Sequence, residues 1–214
     1  MKEFSSIFTE GLEEWINSRV ERPSPIFTEI EKTAEKTRTP VISPSGGAAL
    51  ALLTRMIQPK KVLELGTGIG YSASWMFSSN VPFHLTSADR NAEALEIARN
   101  FLKRTAVKDQ SFDLERIHIL EKMRNIKTLT EYDLIFIDCD KICYPELLSI
   151  CIEKCRPGAS VVFDNALWHG RVFPEIHTKP SDRAVQEFWA KTSEIKANKT
   201  LIPAGDGLLL LELL

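Results

Sequence analysis

Two apolar segments of the chain each end in an aspartate. Residues 132–138 and 159–164 are both predicted to be strands, and Asn165 follows directly after the second acid. If the strands are parallel neighbours, about 4.8 Å apart, Asp138 and Asp164 meet at one edge of the sheet. Two carboxylates this close repel each other unless one is protonated or a cation joins them. Two carboxylates and an amide oxygen predict a site for a hard cation, Mg²⁺, Mn²⁺ or Ca²⁺.

A lysine stands beside the first of these acids. Lys141 comes three residues after Asp138 and would reach the same edge of the sheet. There it could accept a proton from a hydroxyl group, which makes it a candidate general base. The alternative is that the aspartates form turns or cap helices and that Lys141 is a surface lysine at a helix start. That alternative accounts for one aspartate better than for two aspartates with an asparagine and a lysine.

A glycine-rich turn follows an earlier apolar strand. The predicted strand at 61–65 leads into Gly66, Gly68 and Gly70, after which a helix begins. Glycines let the backbone approach a ligand, and a helix N-terminus offers N–H donors to an anionic group. Asp89, at the end of the next predicted strand, is suited to bind a ribose diol, which favours adenosine binding over a bare strand-to-helix turn. The third glycine of a dinucleotide fingerprint is missing, so S-adenosylmethionine, which has no pyrophosphate, fits better than NAD.

The elements that would hold these residues alternate between strand and helix from Lys61 onward. This alternation predicts an α/β fold with a doubly wound, mainly parallel sheet covered by helices on both faces. The turn at Gly205-Asp206-Gly207 predicts that the last strands are antiparallel. The other predicted strands are 83–88, 117–120, 193–202 and 208–214, and the predicted helices are 71–78, 92–106, 125–130, 144–155 and 181–191.

The first 57 residues are predicted to form an N-terminal helical segment that precedes a core at 58–214, the two making one domain. Pro25 and Pro44, each preceded by a serine, are predicted to begin two of its helices. Another helix is predicted from apolar residues spaced along one helical stripe: Phe8, Leu12, Trp15 and Ile16.

Composition excludes several classes of protein. The formal net charge of −2 provides no overall positive field to attract nucleic acid or an anionic membrane. There is no run of about 18 apolar residues to span a membrane, and no apolar signal peptide, so we expect a cytosolic protein. The four cysteines, all at 139–155, are interpreted as reduced thiols rather than zinc ligands, because Cys151 and Cys155 lie one turn apart on an apolar helix.

Taken together, these motifs resemble the cation-dependent O-methyltransferases, a family that includes plant caffeoyl-CoA enzymes, animal catechol enzymes and many bacterial relatives. The matching segments occur in the expected order, from roughly Ser43 to the C-terminus. They are Leu63-Glu64-Leu65-Gly66, Gly70-Tyr71-Ser72, Asp138-x-Asp140-Lys141-x-x-Tyr144, Asp164-Asn165-x-x-Trp168-x-Gly170 and Gly205-Asp206-Gly207.

The resemblance implies a Rossmann-like sheet of seven strands with the last one antiparallel, and a homodimer. It implies S-adenosylmethionine and a divalent cation, most simply Mg²⁺, as cofactors, with Lys141 as the general base and Asp89 on the ribose. The implied metal ligands are Asp138, Asp164 and Asn165. With the glycine turn included, the residues expected at the cofactor are Glu64, Gly66, Gly68, Gly70, Tyr71, Ser72, Asp89 and Asp138. The N-terminal segment is expected to cover the acceptor pocket and to help form the dimer.

Three parts of the chain depart from the family pattern. Gly47-Ala48 stands where relatives often have Gly-Gln, and Thr200 stands where a catechol-type enzyme has a glutamate. Residues 121–124, after the third predicted strand, lack the small side chains expected around the adenine ring. The resemblance therefore does not extend to a strict catechol specificity.

The predicted reaction is methyl transfer to a hydroxyl group of an acceptor whose two vicinal oxygens bind the cation. A catechol or a caffeoyl-type small molecule meets this requirement. The first alternative acceptor is 5-hydroxyuridine in tRNA, for which local basic patches are offered by Lys60, Lys61, Arg99, Lys103 and Arg104. Two further alternatives are a metal-free small-molecule methyltransferase and a nucleotide-binding protein without catalysis. The last of these has no need of the acids and lysine described above.

Overall fold

The computed structural model of the chain, which describes residues 11–173 and 178–214, is built on a seven-stranded sheet. Its strands are β1 Lys61–Leu65, β2 His84–Asp89, β3 Ser111–Arg116, β4 Leu134–Ile137, β5 Ser160–Phe163, β6 Ala197–Ile202 and β7 Leu208–Leu213. They are arranged in the order β3-β2-β1-β4-β5-β7-β6. The first five pair in parallel, whereas β7 is antiparallel to both of its neighbours. The predicted seven-stranded sheet with an antiparallel last strand is confirmed.

Helices cover both faces of this sheet. They are α1 Leu12–Arg19, α2 Pro25–Thr37, α3 Pro44–Ile57, α4 Tyr71–Phe77, α5 Ala92–Thr105, α6 Ile119–Asn125, α7 Tyr144–Lys154 and α8 Pro180–Glu194. Successive side chains of a strand point to opposite faces, so Val62 packs with α2 to α5 and Leu63 packs with α6 to α8. The central strands β1, β4 and β5 are mainly apolar because both of their faces are buried. The doubly wound α/β prediction is therefore confirmed.

The described part of the N-terminal segment consists of the helices α1, α2 and α3 joined by short non-helical connections. The hydroxyl of Ser43 accepts a hydrogen bond from the N–H of Gly46 at 3.1 Å, and Pro44 follows at the first helical position of α3. The apolar stripe predicted for α1 does not enter the core, because α1 buries no residue and Trp15 is 55% exposed. Phe8, the first residue of that stripe, lies outside the described residues.

The third predicted strand, at 117–120, and the helix predicted at 125–130 are both wrong. The strand is β3, Ser111–Arg116, and the helix is α6, Ile119–Asn125. Because β3 is at the edge of the sheet, its side chains alternate between exposed and partly buried positions and form no apolar run. Ile117, Ile119 and Leu120 are apolar for another reason: they pack against the hydrophobic cluster on the α6 to α8 face.

The thiols of all four cysteines are free, with Cys143 and Cys151 buried and the other two partly exposed. Among the described helices, none combines the length and the apolar character needed to cross a lipid bilayer.

Candidate active site

The strands β1, β2, β4 and β5 end at one edge of the sheet, beside a cavity of about 890 Å³. In open α/β sheets ligands bind at this edge, beyond the carboxyl ends of the strands. Most of the site residues predicted from the sequence line the cavity: Gly66, Gly68, Tyr71, Ser72, Asp89, Asp138, Lys141, Asp164 and Asn165. Two others, Glu64 and Gly70, do not line it.

The three glycines of the turn after β1 lie in different surroundings. A Cβ on Gly66, whose φ is 109°, would lie 1.8 Å from the carbonyl oxygen of Asp138, so only glycine lets the turn pass the end of β4. Gly70, with a φ of 84°, packs against Ala98, whose Cβ would be 3.2 Å from an added Cβ. A Cβ on Gly68 would meet nothing closer than 3.7 Å. The backbone at Gly68 is therefore open to a ligand, whereas Gly66 and Gly70 serve the turn itself.

Asp89 ends β2 and supports the glycine turn with its carboxylate. Its Oδ2 accepts a hydrogen bond from the N–H of Gly68, and its Oδ1 accepts one from the N–H of Asn91, both at 2.9 Å. Asn91 in turn caps α5 with its own side chain. A carboxylate oxygen has two acceptor sites, so each oxygen of Asp89 keeps one for a ligand. Asp89 therefore does stabilise the turn, as the alternative interpretation expects, and its carboxylate can still accept hydrogen bonds from a ligand.

Glu64 lies on β1 and is fully buried. Its carboxylate accepts hydrogen bonds from the hydroxyls of Ser72 and Ser87, both at 2.5 Å. Burial raises the pKa of Glu64 to about 7; the two hydrogen bonds oppose this shift, and the charges of Asp138 and Asp89 add to it. Ser72 lines the cavity, so the contribution of Glu64 to the cavity runs through the orientation of Ser72.

Asp138 and Asp164 follow adjacent strands. The last residues of β4 and β5, Ile137 and Phe163, are paired in register, so the next residue of each strand is an aspartate at the same edge of the sheet. Asp164 is only 2% exposed. Burial, together with the charge of Asp138, raises the pKa of the Asp164 carboxyl well above its ordinary value. Two opposed acids of this kind are the arrangement that a bound cation would neutralise.

The donor atoms at this end of the cavity suit a hard cation. No group of three His, Cys, Asp or Glu side chains that could hold a metal occurs in the described parts of the chain. The predicted set instead combines the carboxylates of Asp138 and Asp164 with the amide of Asn165, and all three residues line the cavity. These donors are oxygens, as Mg²⁺, Mn²⁺ and Ca²⁺ require, and the chemistry of the set fits such an ion.

Lys141 lies at the same end of the cavity. In the short 3₁₀ helix Lys141–Cys143, its Nζ is 2.8 Å from Oδ1 of Asp138 and 2.9 Å from the hydroxyl of Tyr144. The side chain is 5% exposed, and Nζ lies 5.9 Å from the centroid of the Trp168 ring. The candidate base thus lies beside the candidate metal ligand Asp138, as their spacing in one motif predicts.

Comparison with known proteins identifies the family. The model of a family described as O-methyltransferase matches residues 18–213. The chain belongs to this O-methyltransferase family. A catechol O-methyltransferase from Niastella koreensis is 30% identical over 158 residues, which cover 69% of this chain and 67% of the relative. A caffeoyl-CoA O-methyltransferase from Populus kitakamiensis is 26% identical over 174 residues, which cover 77% of this chain and 74% of the relative.

Solved structures share the fold of this O-methyltransferase. An O-methyltransferase from Bacillus cereus in complex with SAH has a TM-score of 0.79 at 20% identity, over 95% of this chain and 97% of the other. TomG from Streptomyces achromogenes, an O-methyltransferase involved in tomaymycin synthesis and solved with SAM, has a TM-score of 0.75 at 21% identity. That match covers 94% of this chain and 95% of TomG.

The cavity of this O-methyltransferase also has lining residues that the sequence analysis missed. His118 and Ile119 line it after β3, in place of residues 121–124, and they were missed because β3 was predicted too late in the chain. Trp168 belongs to a quoted motif but had no role assigned. Residues 39–42, between α2 and α3, also line the cavity, and no motif marks them.

Proposed function

We propose that this chain is an S-adenosylmethionine-dependent O-methyltransferase that also depends on a divalent cation. Its acceptor is a hydroxyl group on a small molecule with two vicinal oxygens, such as a catechol or a caffeoyl-type compound. One observation carries the proposal. A single cavity is lined at once by the glycine turn with Asp89 and by Asp138, Lys141, Asp164 and Asn165. A cofactor site and an acid-rich acceptor site that share one cavity are what a methyl transfer between two ligands requires.

The turn after β1 and the end of β2 would hold the cofactor, which supplies the methyl group on a sulfonium. The open backbone at Gly68 and the remaining acceptor sites of Asp89 suit an adenosine, with Asp89 on the ribose. Tyr71 and Ser72 line the cavity at the start of α4. The complexes with SAH and SAM among proteins of the same fold support the choice of this cofactor.

Asp89→Ala is expected to weaken S-adenosylmethionine binding by about 1–3 kcal/mol, because a charged hydrogen-bond acceptor is lost from the ribose. Isothermal titration calorimetry of the wild type and the variant measures the difference. Asp113→Ala is the matched control, since Asp113 lies on the neighbouring strand β3 with its side chain 75% exposed. An unchanged affinity in Asp89→Ala would remove Asp89 from the cofactor site.

Asp138, Asp164 and Asn165 would hold the cation, for which we propose Mg²⁺, with Mn²⁺ and Ca²⁺ as alternatives. When bound, such a cation would act as a Lewis acid toward the acceptor and lower the pKa of its hydroxyl group. Lys141, in its neutral form, would accept the hydroxyl proton at Nζ. The contact of Nζ with Asp138 and Tyr144 holds the amine at this position. The low exposure of Lys141 and Asp164 keeps bulk water away from both groups.

The alternative acceptor, 5-hydroxyuridine in tRNA, requires basic surface. Three of the basic residues considered for that role form ion pairs, Lys61 with Glu131, Arg99 with Glu96 and Arg104 with Glu29. Such pairing lowers the local positive potential that would attract a phosphate backbone. This supports the small-molecule acceptor. We also propose a cytosolic location, where the four free thiols would stay reduced.

Transfer of a labelled methyl group from S-adenosylmethionine to a panel of acceptors tests the acceptor class. The panel contains a catechol, caffeoyl-CoA and bulk tRNA, each with Mg²⁺. We expect label in the catechol or the caffeoyl compound and none in tRNA. Label in tRNA alone would contradict the small-molecule acceptor, and label in no acceptor would support a nucleotide-binding protein without catalysis.

We propose a homodimer through α1 and α3. These helices are joined by a hydrogen bond from the N–H of Ser45 to Oδ1 of Asn17, 3.0 Å long. They expose four large apolar side chains, a grouping typical of association surfaces: Trp15 at 55%, Ile16 at 38%, Leu52 at 54% and Met56 at 72%.

Light scattering on the purified protein is expected to give twice the chain mass of 24.2 kDa. The double variant Leu52→Glu/Met56→Glu is expected to give the single mass, because it puts charge on the apolar surface of α3. A 24.2 kDa wild-type particle at micromolar concentration would contradict the dimer.

A further inference from the structure

The hairpin turn between β6 and β7 is bonded to the segment that follows β5. The N–H groups of Ala166 and Leu167 donate to the carbonyl oxygens of Gly207 and Asp206, both at 2.9 Å. The carboxylate of Asp206 adds a third bond, because its Oδ1 accepts from the N–H of His169 at 2.6 Å. The segment 165–169 is therefore held by the hairpin along its whole length.

This segment has an unusual backbone. Asn165, Trp168 and His169 have φ values of 51°, 48° and 52°. These values lie in the left-handed region, which residues other than glycine adopt uncommonly. Such conformations persist only where the surroundings hold them. All three residues line the cavity, and Asn165 is a proposed cation ligand. The positions of these cavity residues therefore depend on whatever fixes the segment.

Asp206 is the residue of the hairpin turn whose side chain binds the segment 165–169. A Cβ on Gly205 would lie 2.2 Å from Oγ of Ser43, and a Cβ on Gly207 would lie 2.7 Å from Cγ of Leu167. Neither glycine therefore has room for a side chain. The side chain of Asp206 is 11% exposed, and His169 Nδ1 lies 3.6 Å from its Oδ2. No described residue meets the geometry of a hydrogen bond to Oδ2. Burial raises the pKa of the Asp206 carboxyl, and the neighbouring side chain of Asn165 opposes this shift. A buried carboxylate oxygen without a hydrogen-bond partner costs free energy, so its presence calls for a reason in the surrounding structure.

We infer that Asp206 is a positioning residue, which holds Asn165, Trp168 and His169 in the conformation that binds the cation. This inference rests on the proposed function. Asp206 is not among the residues that line the cavity, so its effect would pass through the N–H of His169 and through the neighbouring side chain of Asn165. Partners that orient metal ligands in this way affect metal affinity without touching the ion.

Binding of Mn²⁺, measured by electron paramagnetic resonance on the full chain, tests the inference. Asp206→Ala is expected to weaken Mn²⁺ binding about 10–100-fold. Asp206→Asn is expected to recover most of the affinity, since its amide oxygen still accepts from His169. The matched control is Asp133→Ala: the Asp133 carboxylate accepts from the N–H groups of Lys60 and Lys61 at the start of β1, at the end of the sheet away from the cavity. We expect Asp133→Ala to lower the melting temperature and to leave Mn²⁺ affinity unchanged.

A second measurement does not depend on the metal. The chain has four tryptophans, so ¹H–¹⁵N spectra give four indole signals, and Trp168→Phe assigns the one from Trp168. Because Nε1 of Trp168 donates to Asp182 at 2.8 Å, its signal reports on the turn. We expect Asp206→Ala to move or broaden this signal and Asp133→Ala to leave it in place.

Wild-type affinity for Mn²⁺ together with an unmoved Trp168 signal in Asp206→Ala would overturn the positioning role. Equal loss of affinity in Asp206→Asn and Asp206→Ala would also overturn it, since the hydrogen bond to His169 would then not be the cause. Absence of Mn²⁺ binding in the wild type would instead defeat the proposed metal site, and the Trp168 signal would still decide whether Asp206 holds the turn.

Discussion

Asp164→Ala is expected to bind S-adenosylmethionine as the wild type does and to transfer methyl groups at least about 100-fold more slowly. The cofactor is proposed to bind at the glycine turn and Asp89, which the substitution does not touch. The loss falls on the acceptor, because two carboxylates and an amide would be reduced to one carboxylate and an amide. Methyl transfer to the best acceptor of the panel, in saturating Mg²⁺, measures the rate, and calorimetry measures cofactor binding.

Loss of a buried acid can also unfold a domain, so the melting curve of Asp164→Ala must accompany the rate. The structure predicts a folded variant. Oδ1 of Asp164 accepts a hydrogen bond from the adjacent N–H of Asn165, and removing the acid relieves repulsion with Asp138. Asp133→Ala again serves as a control, expected to be less stable but fully active. A folded Asp164→Ala protein with the parent rate would contradict the metal site.

Lys141→Met is expected to keep both cofactor and Mn²⁺ affinity and to turn over about 10²–10⁴-fold more slowly, as for the loss of a general base. Methionine keeps most of the length of lysine in a site that is 5% exposed, but it has no nitrogen to accept the hydroxyl proton. The rate at saturating acceptor and cofactor measures the effect. Lys141→Arg is the matched control: it keeps the charge beside Asp138 but is a very poor proton acceptor, so we expect it to be slow as well.

Full activity in Lys141→Arg, with loss in Lys141→Met, would show that the positive charge beside Asp138 is what matters. The general-base role would then be wrong. Full activity in both variants would remove Lys141 from the mechanism.

The central part of the fold was predictable because burial leaves a direct mark on the sequence. β4 and β5 are covered on both faces and are mainly apolar, so the aspartates that follow them stand out in the sequence. Asp138 and Asp164 were found in this way, as was the glycine turn after Leu65. Their meeting at one edge follows from the parallel pairing of β4 and β5, which the alternation of strands and helices predicts.

The edge of the sheet was not predictable by the same argument. β3 is an edge strand whose exposed and partly buried side chains alternate, so it forms no apolar run. The apolar residues that follow it, at 117–120, resemble a buried strand more closely and lead to the wrong prediction. His118 was missed as a result. Glu64 is predicted at the cofactor; alternation along β1 directs its side chain into the interior, where it accepts from Ser87 and Ser72 and does not line the cavity of about 890 Å³. The residues at 39–42 line the cavity through tertiary packing alone, for which no local pattern exists.

Methyl transfer by the wild-type protein to its best acceptor in the presence of excess chelator tests the cation dependence most directly. Labelled S-adenosylmethionine reports the transfer, and calorimetry under the same conditions reports whether the cofactor still binds. We expect chelator to abolish transfer and to leave cofactor binding unchanged, and we expect excess Mg²⁺ or Mn²⁺ to restore the original rate. Transfer at an undiminished rate in excess chelator would contradict the cation dependence and would favour a metal-free small-molecule methyltransferase.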